Sequence, residues 1–144
     1  MGERDPHDGS VPIRPEGRPM IVSRVFSSAA ASVPAARSWA CANLRGRGVT
    51  GDLSELVELL VSEVVTNAVR HTGGARFTVR MDVGDWIEVA VKDSDPLQPR
   101  TCQPSAWGLN GRGLLLVDAL SDAWGTRSAR GGKWVWFRIL GASK

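Results

Sequence analysis

The stretch Glu55–Thr72, ELVELLVSEVVTNAVRHT, decides how the chain folds. Its apolar residues recur with the period of a buried helix, yet Glu63, Asn67 and His71 interrupt it at steps of four. Residues four apart lie one above the other on a helix. A carboxylate, an amide and an imidazole therefore form one polar column on an otherwise apolar element. Leu53, Leu56 or Val57, Leu60, Val64 and Ala68 mark its buried face, Asp52 suits the start, and Gly73-Gly74 stop it.

Outward from this helix, the pattern changes period. On the N-terminal side, Met20–Phe26 (MIVSRVF) reads as a first strand. Ser32-Val33-Pro34 then opens a helix, with Ser32 as its N-cap and Pro34 in its first turn. Val33, Ala36, Ala40 and Leu44 keep its period, and Gly46 and Gly48 end it. Arg37 and Trp39 fall off that stripe, at its edge or against a partner. On the C-terminal side, Phe77, Val79 and Met81 alternate with Arg76, Thr78 and Arg80. After the turn Val83-Gly84-Asp85, Ile87, Val89 and Val91 alternate with Trp86, Glu88, Ala90 and Lys92. Carrying that parity one step further puts Asp93 on the core side. Ser94–Asn110 has three prolines and no period, which is the mark of a functional lid or a disordered segment. Gly111-Arg112-Gly113 leads into a short helix, Leu114–Leu120. Ala123–Ser128 is a candidate strand, and Arg130-Gly131-Gly132 turns into a last strand, Lys133–Leu140. There Val135, Phe137 and Ile139 alternate with Trp134, Trp136 and Arg138. The strands pair mainly as hairpins. This predicts an α+β fold, a two-layer sandwich with helices on one face of a mixed, mostly antiparallel sheet.

Composition bounds the function. The 144 residues, 42% hydrophobic and 23% charged, fit one globular domain with a single core. Residues 1–19 are polar and proline-rich and read as a disordered tail, leaving 20–144 as the domain. No apolar run reaches membrane length and the N-terminus is no signal peptide, so a cytoplasmic protein is expected. Cys41 and Cys102 lie far apart with no CxxC pair, which suits two reduced thiols. The net charge of +3 comes from arginine, since only three lysines are present. It suits an acidic protein partner or a phosphorylated ligand. No arginine cluster interleaved with aromatics runs along the sequence, so direct nucleic-acid binding is not expected.

Four features carry chemistry. The first is the column on the central helix. A polar helix edge explains any one of its members, but Glu63 and Asn67 are flanked by Val61, Val64, Val65 and Ala68. An asparagine oxygen is a hard ligand suited to Mg²⁺, and a glutamate one turn away is placed to orient or deprotonate a water or hydroxyl. His71 suits the C-terminal end of the helix dipole better than it suits catalysis. The second feature is Asp93, which is either a turn former in Asp-Ser-Asp-Pro or a carboxylate accepting from an exocyclic amine such as that of adenine. The third is Gly111-Arg112-Gly113, whose glycines admit a phosphate to a helix N-terminus. Arg112 touches that phosphate or lies in solvent. The fourth is Lys133, which shares the core-side parity of Val135 and Phe137 and so needs something anionic or polar beside it.

Together these motifs resemble a known family. Glu63-Val-Val-Thr-Asn67-Ala is similar to the N-box of the gyrase, heat-shock chaperone and histidine kinase ATPases, the GHKL or Bergerat fold. Val91-Lys-Asp93-Ser-Asp95-Pro resembles its first glycine box, and Gly111-Arg-Gly113-Leu-Leu-Leu-Val its second. The likeness covers roughly residues 20–141 in matching order. The small size, with EVVTNAVRHT, GRGLLLVDAL and GGKWVWF, most resembles the anti-sigma-factor serine kinase branch. The resemblance implies ATP held between helices and sheet under a lid. It implies Asn67 on Mg²⁺, Glu63 as general base, Asp93 on the adenine amine, and Gly111 and Gly113 at the phosphates. It also implies protein partners, namely a serine- or threonine-bearing antagonist and a sigma factor, and often a homodimer. The family usually carries glycines where Asp95, Leu97 and Leu115 stand, and a threonine where Lys133 falls.

Three activities follow as expectations. The first is an ATP-dependent serine/threonine protein kinase of the anti-sigma type. The second is a non-catalytic module that binds ATP and sequesters a protein, with Trp39, Trp86, Trp134, Trp136 and the arginines as partner surface. The third, less favoured, is a detached histidine-kinase catalytic domain.

Overall fold

The computed structural model describes residues 21–71, 75–93 and 112–141. Along the chain these are β1 (Ile21–Ser27), α1 (Ser32–Gly46), α2 (Gly51–His71), β2 (Arg76–Val83), β3 (Trp86–Asp93), α3 (Arg112–Leu120), β4 (Ala123–Ala129) and β5 (Gly132–Leu140). The strands form one sheet in the order β1-β2-β3-β5-β4, with every pairing antiparallel. Among the described elements, all three helices cover the same face. α1 lies on β1 and β2, α2 on β3, and α3 on β4, while α2 also packs on both of its helical neighbours. The result is the expected α+β two-layer sandwich, with no parallel pair among the described strands.

The centre of this arrangement explains the width of the apolar stripe on α2. A helix flanked by two others and floored by a sheet must bury more than one seam. Val57, Leu60, Val61, Val64, Val65 and Ala68 are all buried. α1 needs a narrower stripe, and Ala36, Ala40 and Leu44 at steps of four supply it, each fully buried. Below the helices, Phe77, Val79 and Met81 of β2, Ile87, Val89 and Val91 of β3, and Val135, Phe137 and Ile139 of β5 close the core. The connection from α1 to α2 turns through Gly48 and Gly51, both at positive φ (81° and 70°), where a side chain would strain the backbone.

Two local expectations change, at Ser32 and Trp136, and at Trp39 the edge placement is the one observed. Ser32 is the first helical residue rather than the cap. The cap is Ala31, in helical conformation and without a side-chain hydrogen bond. The entry turn has already satisfied the first donors, because Ser32 N–H and Val33 N–H donate to the carbonyls of Ala29 and Ala30. The Ser32 hydroxyl instead meets that of Ser27 at 3.2 Å, tying α1 to the end of β1. Trp39 is half-buried against the core, edge-on to Phe26 at 6.0 Å, while Phe26 stacks on Phe77 at 5.4 Å. It is a packing residue, because the edge of α1 rests on β1. Trp136, expected in an outward apolar patch, is 7% exposed. It does face away from the helices, but it lies flat across β4, where Gly125 leaves room: a Cβ there would sit 3.0 Å from the Trp136 ring. The tail (1–19), Gly73-Gly74, the lid (94–110) and Gly111 lie outside the described residues.

Candidate functional site

The polar column rides on the most buried of the described helices. Asn67 is 3% exposed, between Val64, Val65 and Ala68, which are buried too. Its side-chain nitrogen has no hydrogen-bond partner among the described residues. A buried amide left unsatisfied costs about 1–3 kcal/mol. The two ends of an asparagine amide can exchange places by a half-turn, so the group offers either a donor or an acceptor. Glu63, one turn earlier, is half-buried and thus reachable from solvent. His71 is the last residue of α2, as a helix-end role requires.

α2 packs on β3, the strand that ends in Asp93, and on α3, the helix that begins at Arg112. Asp93 is 8% exposed, on the core side as the strand parity requires. It is engaged in an interaction within the fold. Its position is set from two sides. On one, it stands opposite Phe77 of β2. On the other, Gly132 at the start of β5 presses against it so closely that a Cβ there would sit 2.1 Å from the Asp93 carbonyl oxygen and 2.8 Å from its Oδ1. Only a residue without a side chain fits that approach. Lys133 follows at once, half-buried and likewise engaged. Arg112 and Gly113 form the first turn of α3, whose amide groups are those a helix leaves free to bind an anion.

Glu63 and Asn67 thus stand on a helix that packs on β3, which ends in Asp93, and on α3, while Gly132, next to Lys133, lies against Asp93. Gly132 is the member that motif reasoning passed over. Its signal in the sequence is the doubled glycine before a strand, a pattern that marks a hairpin turn equally well.

The model of one family, the histidine kinase-like ATPase domain, matches residues 26–139, well over half of the chain. The chain belongs to this family. No curated protein matches it. Histidine kinase-like ATPase domains bind ATP, so this is an ATP-binding fold of the GHKL type. Among the described residues, no helix is long and apolar enough to cross a membrane.

Proposed function

We propose that the protein binds ATP with Mg²⁺ and transfers the γ-phosphoryl group to a serine or threonine of a protein antagonist, as an anti-sigma-type kinase. The observation that carries the reading is Asn67, a buried amide whose nitrogen has no hydrogen-bond partner among the described residues, in the middle of an apolar helix. Its oxygen, one hard ligand among waters and phosphate oxygens, fits what Mg²⁺ accepts. When bound, Mg²⁺ neutralises charge on the phosphate oxygens.

The remaining roles belong to the chain. Asp93, held in place by Gly132, accepts a hydrogen bond from the exocyclic amine of adenine. The amides of Gly111, Arg112 and Gly113 and the ammonium of Lys133 meet the phosphates and stabilise charge as it shifts during transfer. Glu63 accepts the proton of the incoming hydroxyl as its oxygen bonds to the γ-phosphorus and the bond to ADP breaks.

Nucleotide titration with and without Mg²⁺, on wild type and Asn67→Ala, tests the site. Wild type binds in the Mg²⁺-dependent manner and the variant does not. A wild type that binds no nucleotide would sink the assignment. Glu63→Ala should keep ATP but lose transfer to a co-encoded antagonist, and surviving transfer would remove Glu63 from its role.

One observation favours a second reading, an ATP-binding module that sequesters a protein without transfer. Leu115, where the family usually has a glycine, stands 67% exposed on the first turns of α3. An apolar side chain there suits a partner better than a phosphate. Radiolabelled γ-phosphate on the antagonist separates the two readings.

A further inference from the structure

The sheet face turned away from the helices is built differently from an ordinary solvated face. Strand register lays its side chains out in rows. One row runs Lys92, Trp134, Arg127; the next Arg80, Ala90, Trp136, Gly125; the third Asp82, Glu88, Arg138. Arginine and tryptophan, scattered along the sequence, are thereby interleaved. The Arg138 guanidinium lies over both Trp86 (5.4 Å) and Trp136 (5.5 Å) and also donates to Glu88 Oε1 from Nε (3.1 Å) and Nη2 (3.0 Å). Arg80 lies over Trp134 at 5.7 Å, reaching across β3 where Ala90 leaves the way open.

The charge on this face is one-sided. Among the described residues its two acids, Asp82 and Glu88, are buried, 4% and 8% exposed; Glu88 accepts from Arg138, and Asp82 is engaged as well. Arg80, Lys92, Arg127 and Arg138 keep partial exposure. Asp85 and Asp122 sit past the end of these rows, and Asp122 accepts the Leu140 N–H at 2.7 Å. Stacking holds Arg80 and Arg138 flat, while the donors that Glu88 does not take remain available to other carboxylates. Apolar side chains frame the cations on the same face: Val25 and Ile21 on the β1 edge, and Trp86 at one end, 54%, 41% and 42% exposed.

We propose that this outer sheet face is a docking surface for an acidic polypeptide segment that carries apolar side chains among its carboxylates. Charge complementarity commits the surface to such an occupant. Single-stranded nucleic acid also seeks cations and aromatic rings, but it needs open ring faces on which bases can stack. Here guanidinium groups already cover Trp86, Trp134 and Trp136, and Trp136 is buried. The surface lies on the far side of the sheet from the helices and goes beyond the nucleotide reading, which neither supports nor requires it.

The test uses the full chain and a synthetic peptide of repeated Asp-Leu-Glu, about ten residues long, enough at roughly 3.3 Å per residue to cross the sheet. Its glutamine/asparagine counterpart, oligothymidylate and vesicles of anionic phospholipid are the competing probes. Tryptophan fluorescence and calorimetry should show saturable, salt-sensitive binding of the acidic peptide alone. The pair Arg80→Gln with Arg127→Gln should weaken it at least about tenfold while ATP titration and circular dichroism confirm the fold. Lys92→Gln, which leaves the stacked arginines in place, should weaken it less. No binding of the acidic peptide overturns the proposal. So does equal binding of its amide counterpart, binding unchanged in both the double variant and Lys92→Gln, or tighter binding of oligothymidylate or vesicles.

Discussion

At Asn67, stability and function pull in opposite directions. The residue removes a polar amide from water in the least exposed part of α2 and leaves its nitrogen without a partner. Alanine is also the better helix former. Asn67→Ala should therefore leave the unliganded fold as stable as wild type, or stabilise it by about 1 kcal/mol, while Mg²⁺-dependent nucleotide binding disappears. Urea unfolding beside nucleotide titration measures both. A variant destabilised by more than about 2 kcal/mol would mean that the amide serves the fold, and its service to a ligand would need another argument. Gly132 makes the opposite case, a residue with no chemistry of its own. In Gly132→Ala the new methyl meets a backbone oxygen at 2.1 Å, which cannot swing aside. The strand ends must part, at a cost of about 1–3 kcal/mol, and Asp93 must move with them. Lower denaturant midpoints and weaker nucleotide binding are expected together. Gly125→Ala is the control: its methyl meets the edge of the Trp136 ring at 3.0 Å, and a ring can tilt. A loss no larger at Gly132 than at Gly125 would contradict the role given to Gly132.

Among the elements, β3 and β5 carry most of the architecture, and their two faces obey different rules. Toward the helices, both strands bury aliphatic and aromatic side chains. On the other face they bury Glu88 against Arg138. Burial raises the Glu88 carboxyl above its ordinary 4.5, and the hydrogen bond and charge of Arg138 only partly oppose this. A carboxyl that holds its proton more tightly when folded contributes fully below the unfolded value. Its contribution is lost as pH rises through the folded value. The difference in denaturant midpoint between Glu88→Gln and wild type, followed from pH 4.5 upward, should therefore shift in favour of the variant until the folded carboxyl has ionised. A difference that stays flat, or shifts the other way, would show that the Arg138 pairing outweighs burial. How far these elements were legible depends on what fixes them. The period of two carried Asp93 to the core side of β3, and steps of four aligned Glu63 with Asn67, because those periods are properties of a single element. The start of α1 was misread at Ser32, since an entry turn that offers its own carbonyls is invisible in residue types. The interleaved arginines and tryptophans were missed for a larger reason. Arg80, Arg127 and Trp134 become neighbours only because β5 inserts between β3 and β4, and no local pattern states strand order.

For the whole molecule, the sheet acts as a partition. One face, with the helices, holds the residues proposed for the nucleotide; the other holds the stacked cations. Residues that alternate along one strand share a backbone but no surroundings, so substitutions on opposite faces should act nearly independently. ATP with Mg²⁺ at a hundredfold excess over its dissociation constant should stabilise the folded chain by about 2.7 kcal/mol. For a domain of this size that is a rise in melting temperature of roughly 10 °C. Wild type and the Arg80→Gln, Arg127→Gln double variant should show the same rise, and Asn67→Ala should show none. Adding Asn67→Ala to the double variant should give the sum of the two effects, that of Asn67→Ala and that of the double variant, on unliganded stability within about 0.5 kcal/mol. If the double variant loses the ATP-induced rise while remaining folded, the two faces are coupled through β3 and β5. The sheet would then transmit the state of one surface to the other instead of separating them, and the natural place to look for the link would be Gly132. It lies against Asp93 on the helix side of the sheet and opens the strand that carries Trp134, Trp136 and Arg138.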